Sequence, residues 1–247
     1  MNQSKNFVIS IPWVVRVLGT IIGLLVLAST GLQLIKHLAD LKRGLGVVRL
    51  FYVDEEANVP VYFSTFQLLL AAVLLAVIAS FEHRRQTPLA RNWTVLAVVF
   101  FGLSLDELCS LHEMAMRPMQ SLLGSSNLGF FYCAWVIPAI LGMIGLGLYF
   151  LRFLWRLPAA VRFRFILAAM LFVGGAVGVE ILEGPHAEQY GRENLVWVVY
   201  VTVEELLEMS GILLFVHTLL QYIATNYGTL TVTFAAGSPV DDPIREA

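Results

Sequence analysis

Residues 195–222 read LVWVVYVTVEELLEMSGILLFVHTLLQY. The stretch has the length and apolarity of a transmembrane helix, since about 20 apolar residues cross the hydrocarbon core of a bilayer. Yet Glu204, Glu205 and Glu208 stand in its middle. At 100° per residue they fall at about 0°, 100° and 40° around the axis, so they share one face. An acidic residue at mid-bilayer costs about 2.5–3.5 kcal/mol, while a Leu, Ile, Val or Phe returns only about 0.3–0.6 kcal/mol. Three bare anions facing lipid would cancel most of what the rest of the helix gains. The acidic face must therefore look inward, onto protons, a cation, basic side chains or water, and an ionisable residue inside a membrane is first of all a functional candidate.

The rest of the chain has the composition of a membrane protein. It has 247 residues, 58% hydrophobic and 14% charged, where a soluble domain has about a quarter charged. One polytopic all-α domain is expected over residues 1–227, with a short cytoplasmic tail over 228–247. A net charge of −2 gives no basic surface for nucleic acid. The two cysteines, Cys109 and Cys133, have neither zinc-type nor thioredoxin-type spacing and read as small buried hydrophobes.

Six spans are expected, at about 12–35, 60–81, 92–115, 130–151, 163–183 and 195–222. The first could pass for a secretory signal, but its apolar run continues to Ile35, so it reads as a retained helix. No motif recurs between the two halves, which gives no support to an inverted-repeat transporter. With both termini cytoplasmic, ten Lys and Arg residues fall inside and six outside. The clearest signal is the inner connection with Arg152, Arg156, Arg162 and Arg164. The first outer loop breaks the rule. Its basic residues alternate with Leu38, Leu41, Leu45, Val48 and Leu50, which suggests an amphipathic surface segment. The bacterial inner membrane is the expected location, with the lipid bilayer and subunits of a membrane complex as partners.

This topology brings three acidic groups to one depth, on the outer side. Span three ends with Asp106, Glu107, His112 and Glu113. Span five ends with Glu180 and Glu183, followed by His186, which Pro185 is expected to leave on an outer loop. Span six contributes Glu204, Glu205 and Glu208. As one helix, span three puts Asp106, Ser110 and Glu113 in a stripe and His112 about 120° away. So many like charges cannot all be ionised without a compensating cation. Carboxylates with imidazoles suit a divalent metal such as zinc, iron or manganese; carboxylates alone suit calcium or protons. The competing reading is a structural network in which Arg49, Arg117 and Arg192 clasp the acids. Gly174 and Gly178, with Gly142, Gly145 and Gly147, read as close helix packing. Trp13, Trp93, Trp155 and Trp197 read as interfacial belts.

The combination RLFYVDEEANVPVYFS (49–64), LSLDELCSLHE (103–113) and EELLEMSGILL (204–214) resembles a set of uncharacterised bacterial integral membrane proteins. They share a DExxxxHE helix and an EExxEM helix. The resemblance supports the importance of the acids and implies no particular reaction. A looser likeness is to the seven-helix hydrolases that include alkaline ceramidases and adiponectin receptors, in which histidines, an aspartate and a serine surround zinc. Ser104, Asp106 and His112 match it, but span six offers only His217 where paired histidines are expected. A metal-dependent enzyme acting on a lipid-like substrate, a cation- or proton-binding carrier and an accessory subunit all remain open.

Overall fold

The computed structural model of the chain describes residues 10–38, 46–124 and 128–228, and all regular structure among them is helical. In chain order the elements are α1 (Ile11–Leu38), α2 (Gly46–Phe51), α3 (Val59–Arg84), α4 (Ala90–Cys109), α5 (Leu111–Leu123), a 3₁₀ turn (Gly129–Phe131), α6 (Val136–Arg156), α7 (Ala159–Val173), a π turn (Gly174–Val179), α8 (Glu180–Tyr190) and α9 (Leu195–Tyr227). Five helical stretches are long and apolar enough to cross a membrane: α1, α3, α4, α6, and the run from Ala159 to Tyr190. The expected C-terminal tail lies outside the described residues.

The carboxylate-bearing helix, α9, is the axis of the bundle. It has 33 residues and packs against α1, α3, α7, the π turn and α8. Its N-terminus is set by Asn194, whose side chain accepts from the Trp197 amide at 3.0 Å and so satisfies an orphan donor of the first turn. Asn58 caps α3 in the same way at 3.1 Å, and Pro60 sits where its missing N–H costs nothing.

The apolar core lies towards the end of the bundle away from the α9 carboxylates. Leu75 and Ile78 of α3, Trp93 of α4, Phe153 of α6 and Val216 and Leu219 of α9 are all buried there. Trp93 meets Phe153 edge-on at 5.0 Å, the geometry that the ring quadrupoles favour. Trp93 and Trp197 are buried, which corrects their reading as interfacial residues; Trp13 and Trp155 are exposed, as a belt requires. Many other large apolar side chains face outward, among them Leu24, Leu27 and Leu148. A continuous apolar exterior of this kind suits lipid and not water.

Three helix boundaries differ from expectation. Span three is two helices, because Ser110 adopts a left-handed conformation (φ 50°) that breaks the axis between α4 and α5. Span five continues to Tyr190, straight through Pro185, so His186 lies on a helix and not on a loop. Of the basic first loop, Leu38 closes α1, Val48 and Leu50 lie on α2, and Leu41 and Leu45 lie outside the described residues.

The glycine pattern also resolves differently. Gly142, Gly145 and Gly147 of α6 have open space where a Cβ would stand, so they do not mark close packing. Tight approaches occur elsewhere: at Gly211, whose Cβ would meet the Phe172 amide nitrogen at 2.7 Å, at Gly175, whose Cβ would meet the Glu204 carbonyl at 2.7 Å, and at Gly184. A mid-helix Gly→Ala change ordinarily stabilises by about 1 kcal/mol. Here the sign depends on room. Gly211→Ala is expected to lower stability by about 1–3 kcal/mol through overpacking against backbone, while Gly142→Ala is neutral or stabilising. Thermal unfolding of the two variants in detergent, compared with the wild type, checks this.

Candidate metal centre at the acidic end of the bundle

The centre begins with the π turn. One extra residue per turn at Gly174–Val179 shifts the register of everything that follows, and such bulges recur at functional sites. Gly175 within it lets this segment abut α9 at Glu204 and Glu208. Glu180 and Glu183 then turn into the protein, 9% and 3% exposed. Pro185 cannot return a hydrogen bond to Ile181, yet α8 persists because its outer end is held from two sides. The His186 Nε2 lies 2.9 Å from Asn194 Oδ1, and its ring packs on Tyr190 and Tyr200. The Glu188 carboxylate accepts from the amides of Leu128 and Gly129 at 2.9 and 2.8 Å.

Those last two bonds deliver a residue that the sequence reading passed over. Gly184 allows the Gly129 carbonyl to sit against α8, where a Cβ would come within 2.6 Å of it. Gln120 Nε2 donates to the Tyr132 carbonyl at 2.7 Å. Cys133, the next residue, is thereby buried beside Glu180 and Glu183. One ligand atom from each of these three residues lies within 4.8 Å of the other two. Trp135 Nε1 donates to Glu180 Oε1 at 2.7 Å. Glu183 Oε2 is buried and has no hydrogen-bond partner. Burial, followed by the charge of Glu180, pushes the Cys133 thiol above its ordinary range. The other cysteine, Cys109, is exposed, which corrects its reading as buried.

The break at Ser110 supplies the imidazole. In a continuous helix His112 would face away from Asp106. Instead the chain turns, and Asp106 accepts from both the His112 amide (2.8 Å) and the His112 ring at Nδ1 (3.0 Å). The ring packs at 4.8 Å on Trp135, the residue that holds Glu180. With Nδ1–H assigned to Asp106 by this bond, Nε2 keeps the free lone pair. Burial alone would lower the His112 pKa, but the Asp106 hydrogen bond and charge outweigh it, and the ring is held above its usual value.

The remaining acids close around this centre. The electrostatic neighbours of Glu204 are Glu183, Glu208, Glu180 and Glu205, and those of Glu208 include Glu107. Acids from α4, α8 and α9 line one cavity. Glu113 lies exposed at the rim on α5. His186 does not join: it braces α8 against the cap of α9. Asp54, just beyond α2, reaches in and accepts from Trp197 Nε1 at 2.8 Å, and burial holds its carboxyl above the usual range.

The basic side chains do not clasp this cluster. Among the described residues the ion pairs are Arg49–Glu55, at 3.1 Å, and His112–Asp106. Arg192 stacks on Trp197 (4.9 Å) and Tyr132 (5.8 Å), with Nη2 4.0 Å from Cys133 Sγ. Among the described residues its guanidinium makes no hydrogen bond to a carboxylate. Ser104 donates to the Thr65 carbonyl, tying α4 to α3, and is committed there. His217 lies nine residues beyond Glu208, about 14 Å along the helix. Cys133 stands beside Glu180 and Glu183, and Asp54, Trp135 and Arg192 line the same cavity as the acids singled out in the sequence.

A cavity of about 880 Å³ adjoins the cluster. Its acidic end is lined by Asp54, Glu55, Glu56, Asp106, Glu107, Glu113, Glu180, Glu183, Glu204, Glu205 and Glu208, with His112 and Arg192; the rest of its wall is apolar.

The His112–Asp106 pair carries a pH signature. A histidine whose folded pKa is raised stabilises fully below its unfolded value of about 6.5, and that stability is lost as pH rises through the folded value. Asp106→Asn is therefore expected to cost about 1 kcal/mol or more at pH 6 and less at pH 9. Melting curves of chelator-treated protein at both pH values test it; an equal loss at both would contradict the pair.

No curated protein and no solved structure gives a significant match to this chain. A profile described as a domain of unknown function, DUF8692, matches residues 17–222. The chain, an all-helical protein with membrane-length apolar helices and a buried Cys–Glu–Glu cluster, belongs to that family.

Proposed function

We propose that this chain is a metal-binding protein of the bacterial inner membrane, with a divalent cation held by Cys133, Glu180 and Glu183. The observation that carries the reading is the buried trio itself, in which Glu183 Oε2 has no partner within a crowd of acids. Burying an unpaired carboxylate is costly, and a cation of charge +2 offsets several such groups at once. A tetrahedral ion with bonds of about 2.0–2.3 Å needs ligand atoms about 3.3–3.8 Å apart, so the trio needs only to close by about 1 Å.

The donor set favours zinc or iron over manganese, because a thiolate is too soft for the last. Three protein ligands leave a coordination position towards the cavity, the arrangement of catalytic zinc sites. His112 fits beside them. Its Nδ1 is bound to a carboxylate, which is how metal-facing histidines are oriented. It would act as a base beside the ion, outside the three-residue ligand set. Glu204, Glu205, Glu208 and Glu107 surround the centre, sharing protons or a second cation. In this reading α9 is the sixth span, both termini are cytoplasmic, and the Arg152–Arg164 connection faces the cytoplasm.

Purified full-length protein, stripped with chelator and titrated with zinc, is expected to bind about one ion per chain. Cys133→Ser and Glu183→Gln should each weaken binding at least tenfold. The thiol must lose its proton to bind, so affinity should fall as pH falls, by about tenfold per unit for each proton released. Zinc binding that ignores both substitutions would exclude this centre. Absence of any stoichiometric transition metal would leave protons as the compensating charge.

A further inference from the structure

Helix α6 is attached to the bundle at its two ends and stands off in between. Near its start, Val136, Ile140 and Met143 pack with Val177 and Val173. Near its finish, Phe150 and Phe153 enter the main core beside Trp93 and Phe165. Between these anchors lie Gly142, Gly145 and Gly147, none of which has a neighbouring atom within reach of a Cβ. The gap is part of the cavity of about 880 Å³, within the roughly 300–1,000 Å³ of ligand sites. Its wall runs along α7, the π turn and the start of α8, from Phe165 to Glu183. At 1.5 Å per residue that is about 27 Å, close to the whole hydrocarbon thickness of a bilayer.

The two ends of this groove differ in chemistry. The long part is hydrocarbon: Phe100 and Leu103 from α4, Met143 from α6, Phe172 from α7, Phe215 from α9. The short part is the acidic end described above, whose lining residues include one arginine and one histidine against a clear majority of carboxyl groups. An occupant must therefore be an amphiphile, with its chain in the gap and its head at the carboxylates. A phosphate or carboxylate head would meet like charge, which costs several kcal/mol when such groups are juxtaposed. A hydroxyl, ester or amide head meets no such penalty. It can donate to the unpartnered Glu183 Oε2 and offer a carbonyl oxygen to a cation.

We propose that the groove between α6 and α7 takes the hydrocarbon chain of a neutral amphiphile from the bilayer and sets its head at the Cys133–Glu180–Glu183 centre. The proposal builds on the metal-site reading for the head group, while the chain site stands on the shape of α6. Gly142 and Gly147 border the gap and keep it wide, and access is sideways from the membrane, past a helix whose mid-length glycines meet no neighbour among the described residues.

The test uses full-length protein in phosphatidylcholine nanodiscs and two photoactivatable probes that share one acyl chain: a monoacylglycerol and its anionic phosphate counterpart. The neutral probe should label at least about fivefold more, on peptides spanning residues 139–154 and 165–176. Gly147→Phe, which projects into the cavity lining, should reduce that labelling about fivefold or more. Gly145→Phe should not, since Gly145 is equally open but does not line the cavity. Ala169→Trp blocks the opposite wall and covers the case of a misfolded Gly147 variant. Equal labelling by the two probes, or labelling indifferent to both blocking substitutions, would overturn the proposal. Zinc content of the same samples separates the two readings. Zinc bound without probe labelling sinks the groove alone, and labelling without zinc supports the groove and sinks the metal centre.

Discussion

A carboxylate removed from water loses several kcal/mol of hydration even after protein and water relax around it, and the loss is recovered only through partners of opposite charge or hydrogen-bond donors. Here acids from α4, α8 and α9 share one end of a bundle with a single arginine and a single histidine lining it. Arg192 is spread over two aromatic rings, and His112 is already given to Asp106. The buried trio of Cys133, Glu180 and Glu183 is consequently short of positive charge. That shortage organises the molecule: the helices that carry the acids must turn them inward, and whatever compensates them must bind there too.

Local backbone irregularities do the positioning. A π turn directs Glu180 and Glu183, a left-handed serine returns His112 to Asp106, and a pair of amides capped by Glu188 sets the loop that carries Cys133. Each irregularity falls where a regular helix would have pointed the side chain elsewhere. Such departures cost energy and persist only where surrounding contacts over-determine them. In this chain those contacts are visible: Gly175 against Glu204, Gly184 against Gly129, and the His186–Asn194 brace.

The helical class, the apolar stretches and the convergence of three acidic groups could all be read from hydropathy and spacing, because those signals repeat along the chain. The details that make the site did not repeat and so left no period to read. Nothing in LSLDELCSLHE announces that Ser110 will adopt positive φ, a conformation rare outside Gly, Asn and Asp. Pro185 argued for a helix end, but tertiary contacts on both sides of it prevailed. Cys133 sits in no motif; its partners arrive from 47 and 50 residues away. The small residues of α6 looked like packing positions and turned out to border a void, because glycine permits close approach without requiring it.

The π turn at Gly174–Val179 has one more implication, for how the family can vary. Removing any single residue from that segment would let the backbone relax into an ordinary α-helix, locally the easier arrangement. Because a π turn takes up one extra residue within a single wide turn, such a loss would leave the facing of Glu180 and Glu183 nearly unchanged, whereas relaxing all six residues to α pitch would turn everything downstream by roughly 100° and swing both acids out of the interior. Homologues that keep the centre should therefore carry this segment either as a π turn or as an α-helix one residue shorter, with the glycine that abuts Glu204 kept in both.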